Sequence, residues 1–327
     1  MTKLIATLSA ILLGITAEIS ASPSVQIDGS STMSPLFKVV ADGFQQTQRD
    51  KVKITIAISG DVPAFRKLCR AEIDVIGVSR PIPKWHLEAC KRAGVQYLET
   101  PVAYDVLAVV VHPGNDWVNY LAVGELKKIW EPAAQNKIHS WNQVRRHWPE
   151  EPLTLFGPAT DSGTFDFFTE VINNKTKSSR SDFSASAQDN VLIQATADDR
   201  GALGYLRYGS YFEDQKRIKA IPIDSGRGPV FPSAMTIQDG TYQPLSRPMF
   251  VYVSKLSLAK LSVKEFIKFY LTQAPHFAKQ VKYQPLPNSV YSANLERLEK
   301  GKFGTAFDGA PGNRITIDDL LSRKPKI

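Results

Sequence analysis

Short apolar runs alternate with amphipathic stretches along the first third of the chain. The predicted strands lie at 24–29, 53–59 and 73–79, and the helices that follow them lie at 36–47, 63–70 and 85–94. Strands and helices that alternate in this way are typical of a mostly parallel sheet with helices on both faces. The pattern therefore predicts an α/β fold.

A second set of alternating elements follows. The pattern predicts helices at 124–131 and 161–173, strands at 153–157, 203–207 and 218–224, and then a strand at 249–255 and a helix at 263–273. The polar stretch 173–181 interrupts this set. We expect it to form a flexible surface loop.

Two apolar runs, at 105–111 and 249–254, lie where one set of elements ends and the other begins. Such runs are expected for strands buried on both sides. We infer two α/β lobes joined by these hinge strands, with residues 22–104 and 252–327 in lobe I and 105–251 in lobe II. Ligands of open α/β sheets bind beyond the carboxyl ends of the strands, so the site is expected in a cleft between the lobes.

The first 21 residues have the composition of an export signal. Lys3 precedes an apolar run at 4–15, and the small residues at 19–21 suit cleavage after Ala21. A run of about 12 residues is too short to span a bilayer. No cysteine follows that could carry a lipid anchor. We expect a soluble protein that is exported to the periplasm.

An exported chain meets an oxidising compartment, and the sequence has two cysteines, Cys69 and Cys90. We expect a disulfide between them; two buried free thiols are the alternative. Closing a loop of roughly 20 residues contributes about 3 kcal/mol in the chain-entropy model. The five histidines show no paired spacing of the metal-ligand kind, so we expect no metal site.

Composition and charge narrow the range of partners. The 327 residues suffice for two domains with cores of their own. A formal net charge of +8 and an isoelectric point near 9.3 suit an anionic partner. The lysines and arginines are spread along the chain, however, without a basic block or a recognisable nucleic-acid module. We expect no nucleic-acid binding.

Small polar residues and glycine recur where predicted strands give way to helices. They occupy 28–35, 58–65 and 161–164, and a hydroxyl and a guanidinium stand together at 78–81. The start of a helix carries a partial positive charge and unpaired N–H groups, which suits a small tetrahedral anion. Each junction alone is typical of ordinary helix capping. Together, at the strand ends of two lobes, they predict an anion site.

The sequence offers little for catalysis. It contains neither a GxxxxGK[ST] phosphate loop nor a GxSxG nucleophile elbow. A hydrolase built around Ser162 would need a base or a metal, and nothing in the sequence marks one. We expect no catalytic residues and no cofactor, with a secreted phosphatase as the less favoured alternative.

Seven segments carry a resemblance to a known family: 28–35, 77–83, 101–111, 125–143, 160–170, 202–208 and 242–248. The chain resembles the periplasmic phosphate-binding proteins of ABC-type phosphate importers, in the branch that includes the cyanobacterial proteins. The resemblance implies a type II periplasmic binding protein fold that closes on its ligand. It also implies a monomer that captures inorganic phosphate for an ABC-type permease in the inner membrane.

The resemblance also assigns binding residues to four loops. By loop, the implied phosphate-binding residues are Ser31, Thr32 and Met33; Ser59 and Gly60; Ser79 and Arg80; and Ser162, Gly163 and Thr164. In the first loop, the Thr32 hydroxyl and the Met33 N–H would donate. Arg80 would balance the charge of the anion, and the serines and threonines would supply neutral donors.

The chain departs from the family pattern at two places. A glycine-rich run is replaced by 61–64, and Arg80 and Pro158 stand where many relatives carry an aspartate and an arginine, respectively. That aspartate accepts the proton of hydrogen phosphate, which sulfate lacks. We expect Asp61 or Asp161 to take this role; the alternative is a plain helix cap at Asp161 and a solvent-facing Asp61. Sulfate or molybdate is the alternative ligand.

Overall fold

The computed structural model describes residues 23–49, 51–309 and 315–322, so the predicted signal at 1–21 lies outside the described residues. The strands are β1 (Ser24–Gly29), β2 (Lys53–Ile56), β3 (Val75–Val78), β4 (Tyr97–Val111), β5 (Leu121–Ala122), β6 (Thr154–Pro158), β7 (Ser184–Ser186), β8 (Ala202–Arg207), β9 (Lys219–Ala220), β10 (Ile223–Asp224), β11 (Pro229–Val230) and β12 (Ser246–Ser254). The helices are α1 (Ser34–Thr47), α2 (Asp61–Cys69), α3 (Lys84–Arg92), α4 (Val123–Trp130), α5 (Gly163–Asn173), α6 (Asp189–Asp198), α7 (Tyr208–Glu213), α8 (Ala234–Gln238), α9 (Leu261–Gln280), α10 (Asn288–Glu299) and α11 (Ile317–Ser322).

One large sheet runs through the molecule in the order β2-β1-β3-β12-β4-β8-β6-β7, with β9 added beside β4. Parallel pairs occur within each half, at β1–β2, β1–β3, β6–β7 and β6–β8. Strand β12 is antiparallel to both β3 and β4, and β4 is antiparallel to β8. The prediction of a mostly parallel sheet was therefore wrong, because the strands that join the halves run against their neighbours.

Strand β4 belongs to both halves of the sheet. Its residues 97–106 pair with β12, and its residues 107–111 pair with β8. Every residue of β4 is buried, as the apolar run led us to expect. The change of partner after Val106 lies close to the inferred boundary at 104/105. The division into two lobes stays a prediction.

Helices cover the sheet through amphipathic faces. The buried side chains of α1 are Leu36, Phe37, Val40, Ala41 and Phe44, which recur at helical spacing. The Phe44 ring lies 5.4 Å from that of Phe266 in α9, and the two are nearly perpendicular. Burying such a face stabilises the helix more than its intrinsic propensity does. None of the helices within the described ranges is long and apolar enough to cross a membrane.

The disulfide between Cys69 and Cys90 is confirmed. It joins the end of α2 to α3, two helices that follow neighbouring parts of the sheet. Helix α2 begins at Asp61, directly after the second predicted anion loop. The disulfide therefore restrains the helix whose first turn adjoins that loop.

Candidate functional site

A cleft of about 920 Å³ opens beside the carboxyl end of β3 and the middle of α5. The residues that line it come from segments before and after β4 in the chain, and they include Ser79, Arg80, Glu170 and Arg247. The third predicted loop therefore lines the cleft, whereas the described lining residues include none of the predicted binding residues of the first, second and fourth loops.

The first and fourth predicted loops meet directly. After β1, the chain forms a 3₁₀ turn at Ser31–Met33, which packs against the first turn of α5. A Cβ atom added to Gly163 would lie 2.7 Å from both the N and the Cα of Thr32, which is closer than carbon and nitrogen atoms approach. Only glycine allows this contact between segments about 130 residues apart in the chain.

Unpaired backbone N–H groups gather at this contact. Ser31 and Thr32 are the first residues of the 3₁₀ turn, and Gly163 and Thr164 are the first residues of α5. In the described part of the chain, none of these four N–H groups donates to another residue. The next N–H in α5, that of Phe165, is already bound by the Ser162 hydroxyl at 3.1 Å. Two helix starts that pack together and keep unpaired N–H donors are suited to a small anion.

Thr32, Ser162 and Thr164 have hydroxyls suited to the same anion. Thr32 and Thr164 are buried. The Thr32 hydroxyl accepts a bond from Arg247 and the Ser162 hydroxyl accepts one from Phe165, so each keeps its own proton for another acceptor. These three of the predicted donors lie beside the unpaired N–H groups.

The serines of the second and third loops give their protons to carboxylates instead. Ser59 donates to Asp28 at 2.6 Å, and Ser79 donates to Asp61 at 3.1 Å. Lys67 also donates to Asp28. Burial raises the pKa of Asp28, but the hydrogen bonds from Lys67 and Ser59 outweigh it, so that the pKa lies below its ordinary value.

The Ser31 hydroxyl and two of the predicted backbone donors also donate hydrogen bonds within the protein. The Ser31 hydroxyl donates to Asp166 at 2.8 Å. The Met33 N–H donates to the carbonyl of Ser30, which closes the 3₁₀ turn, and the Gly60 N–H donates to the carbonyl of Gly29. The Met33 N–H is thus already paired within the 3₁₀ turn, and Gly60 and Ser59 are turned towards β1. The binding roles expected of these three residues stay predictions.

The two carboxylates considered as proton acceptors have different surroundings. Asp61 accepts hydrogen bonds from Ser79 and, at 2.8 Å, from Arg80, so it ties the second loop to the third. It does not point to solvent, since only 9% of its side chain is exposed. Asp161 is exposed. The proton-acceptor role stays a prediction for either residue.

Three charged residues that the sequence analysis missed complete the site. Arg247 donates to the Thr32 hydroxyl at 2.9 Å, and its guanidinium also contacts Glu170 and Asp105, each at 3.2 Å. Burial raises the pKa of Asp105, although the guanidinium of Arg247 acts in the opposite direction. Arg247 lies within the 242–248 segment that carried the resemblance, but nothing in its local pattern marks it as a site residue.

A family model described as a PBP superfamily domain matches residues 16–274. The chain is a member of the PBP superfamily. Protein SphX of Synechococcus elongatus is 40% identical over 298 residues, which are 91% of this chain and 88% of SphX. The phosphate-binding protein PstS of Staphylococcus aureus is 30% identical over 276 residues, which are 83% of this chain and 81% of PstS.

Solved structures support the same membership. The crystal structure of a possible phosphate binding protein from Planctomyces limnophilus matches with a TM-score of 0.82 and 44% identity, covering 86% of this chain and 99% of that one. The resemblance to phosphate-binding proteins and the type II periplasmic binding protein fold are both confirmed. Both PstS and the Planctomyces limnophilus protein, which are similar to this PBP-superfamily chain, are named as phosphate-binding proteins, the latter as a possible one.

Proposed function

We propose that this protein captures inorganic phosphate in the cleft and delivers it to an ABC-type permease in the inner membrane. The observation that carries the proposal is the meeting of the 3₁₀ turn at Ser31–Met33 with the start of α5, where four unpaired N–H groups gather. The names of PstS and of the Planctomyces limnophilus protein support phosphate as the anion. The protein acts in the periplasm as a monomer.

The available donors suffice for useful affinity. Micromolar binding requires about −8 kcal/mol. A hydrogen bond to a charged group contributes about 1.5–3 kcal/mol net. Four N–H groups and the hydroxyls of Thr32, Ser162 and Thr164 therefore provide on the order of 10 kcal/mol or more, which also offsets the cost of ordering the two segments.

The ligand is released unchanged in this proposal. The Ser162 hydroxyl caps helix α5. Within the described residues, no side chain accepts a hydrogen bond from the Ser162 hydroxyl, as the base of a hydrolase would. This favours a binding protein over a secreted phosphatase on the same scaffold.

Calorimetry tests the proposal on protein stripped of bound anion. We expect one phosphate per chain with a micromolar or lower Kd. Thr32→Val keeps the volume of the buried side chain and removes its hydroxyl, and should weaken binding on the order of tenfold. Thr272→Val, on the exposed side of α9, is the control and should bind as the wild type does.

Titrations with sulfate and molybdate decide between ligands. Binding of either anion in preference to phosphate would change the ligand but keep the site. Absence of binding for all three anions would refute an oxyanion transport role.

A further inference from the structure

Two arginines line the cleft, Arg80 and Arg247. The family resemblance points to Arg80 as the residue that balances the charge of the anion. The two side chains differ in their partners, in their burial and in their distance from the unpaired N–H groups. These differences favour Arg247.

Arg80 is held by carboxylates. Its Nε donates to Asp61 at 2.8 Å, and one of its terminal nitrogens donates to Glu170 at 2.6 Å. Arg247 also has two carboxylate partners, but 43% of the Arg80 side chain is exposed, so water weakens its attraction for an anion. In the described part of the chain it has no hydrogen bond to the 3₁₀ turn or to the first turn of α5.

Arg247 is fixed in place from two sides. It extends from β12, its guanidinium lies 3.7 Å from the centre of the Phe167 ring, and Asp105 contacts it from within the core. Only 13% of the Arg247 side chain and 1% of the Asp105 side chain are exposed. A buried carboxylate and an aromatic face hold the planar guanidinium in one orientation.

That orientation directs Arg247 at the proposed anion site. Its terminal nitrogen lies 2.9 Å from the hydroxyl of Thr32, whose own N–H is one of the four unpaired donors. Because the Thr32 oxygen accepts this bond, its proton is left to point at the ligand. Arg247 thus adds a positive charge to the donors of the 3₁₀ turn and polarises one of them.

We propose that Arg247 is the charged residue that binds the oxyanion, and that Glu170 leaves it when the anion arrives. Glu170 is shared between Arg80 at 2.6 Å and Arg247 at 3.2 Å, so the longer contact is the one exchanged for the ligand. Glu170 then keeps the hydrogen bond that it accepts from Arg80. The inference rests on the proposed function, since it names the cation of the same site.

The assignment is tested by measuring, with calorimetry, how tightly pairs of variants bind phosphate. Removing Arg247 alone would leave Asp105 buried and unpaired, so the informative variant is Asp105→Asn/Arg247→Gln, compared with Asp105→Asn. We expect it to bind on the order of twentyfold or more weakly than Asp105→Asn. Arg80→Gln should lose roughly fivefold or less relative to wild type, because the Arg80 side chain is partly exposed to water and has no hydrogen bond to the proposed donors in the described part of the chain.

Thermal unfolding of each variant shows whether it is folded. If the double variant does not fold, Arg247→Lys and Arg80→Lys make the same comparison, since both keep the charge and lose the planar fork. The Arg247 variant must then lose more affinity than the Arg80 variant. An equal or greater loss for the Arg80 variant in either pair overturns the proposal. Failure of the proposed function is distinct, because the wild type itself would then not bind phosphate.

Discussion

At the scale of single residues, the absence of one side chain decides how closely the two parts of the site approach. Gly163 opens α5, and its Cα faces the backbone of Thr32. Its φ lies outside the left-handed region, so the requirement for glycine comes from the close approach and not from backbone conformation. The two pairs of unpaired N–H groups lie close together because this position lacks a Cβ.

Gly163→Ala tests this requirement. The added methyl group would lie 2.7 Å from the Thr32 backbone, so the 3₁₀ turn and α5 must separate and the donors diverge. We expect phosphate to bind on the order of tenfold or more weakly and the free energy of unfolding to fall by about 1–3 kcal/mol, because the atoms that must move are backbone atoms. Gly124→Ala is the matched control, because Gly124 also lies in the first turn of a helix but has nothing within 4 Å of an added Cβ. Equal affinities of Gly163→Ala and the control would contradict the account.

The sequence predicted the kinds of residue at the site, but it did not predict which acceptor each hydroxyl donates its hydrogen bond to. A serine hydroxyl rotates to suit its neighbours. The neighbour that accepts the proton of Ser31 is Asp166, 135 positions away. Arg247 is brought to Thr32 over a separation of 215 residues. Contacts at such separations depend on the complete fold and leave no local pattern.

At the scale of elements, the polar stretch after α5 is better ordered than its composition suggests. Arg180 is buried, with 4% of its side chain exposed, and donates to the carbonyls of Ile129 and Ile138 and to both oxygens of Asp182. These bonds tie the segment to the end of α4. The expectation of a flexible loop at 173–181 was wrong for Arg180, because long-range partners satisfy its charge.

Asp182 makes the stability of this segment depend on pH. The hydrogen bond from Arg180 lowers the pKa of Asp182 to about 2 from its ordinary value of 3.8. Its contribution to stability is therefore present above pH 3.8 and is lost as the pH falls towards 2. Because Asp182 is exposed to water, which screens the pair, we expect Asp182→Asn to lower the free energy of unfolding by about 1 kcal/mol at pH 7, and by less at pH 3.

Urea unfolding at both pH values measures this difference. Asp214→Asn is the control, because Asp214 forms an exposed pair with Arg217. A destabilisation by Asp182→Asn that is the same at pH 7 and pH 3 would show that the ionised carboxylate is not its cause.

The hydrophobic pattern located most strands and helices but shortened β4. The run was predicted to begin at 105, whereas the strand begins at Tyr97. Glu99 interrupts the apolar pattern and is fully buried, with Tyr252, Thr305 and the Ala306 N–H as its hydrogen-bond donors. Burial raises the pKa of Glu99. The local sequence does not distinguish a buried carboxylate whose hydrogen-bond partners are distant in the chain from a carboxylate on the surface.

At the scale of the whole molecule, the ligand is proposed to bridge segments that pack on different parts of one sheet. The 3₁₀ turn follows β1 in one half, and α5 follows β6 in the other. Strand β4 hydrogen-bonds into both halves. Stabilisation by the ligand should therefore reach the entire fold.

Calorimetric melting with and without phosphate measures this coupling. At a free phosphate concentration near 1,000 times the Kd, the free energy of unfolding should rise by about 4 kcal/mol. We expect a single transition that moves as a unit, because β4 joins both halves. Two transitions of which only one moves with phosphate would contradict this coupling. The unfolding transition of Thr32→Val should shift less than that of the wild type at the same phosphate concentration.

The position of β12 has a consequence for how the chain reaches its native state. This strand lies between β3 and β4, yet it is made some 135 residues after β4 in sequence. Until β12 has been synthesised, the edges of β3 and β4 that pair with it in the native sheet have no partner. A fragment truncated before residue 246 therefore cannot complete the central sheet, and its bare edges are open to intermolecular pairing.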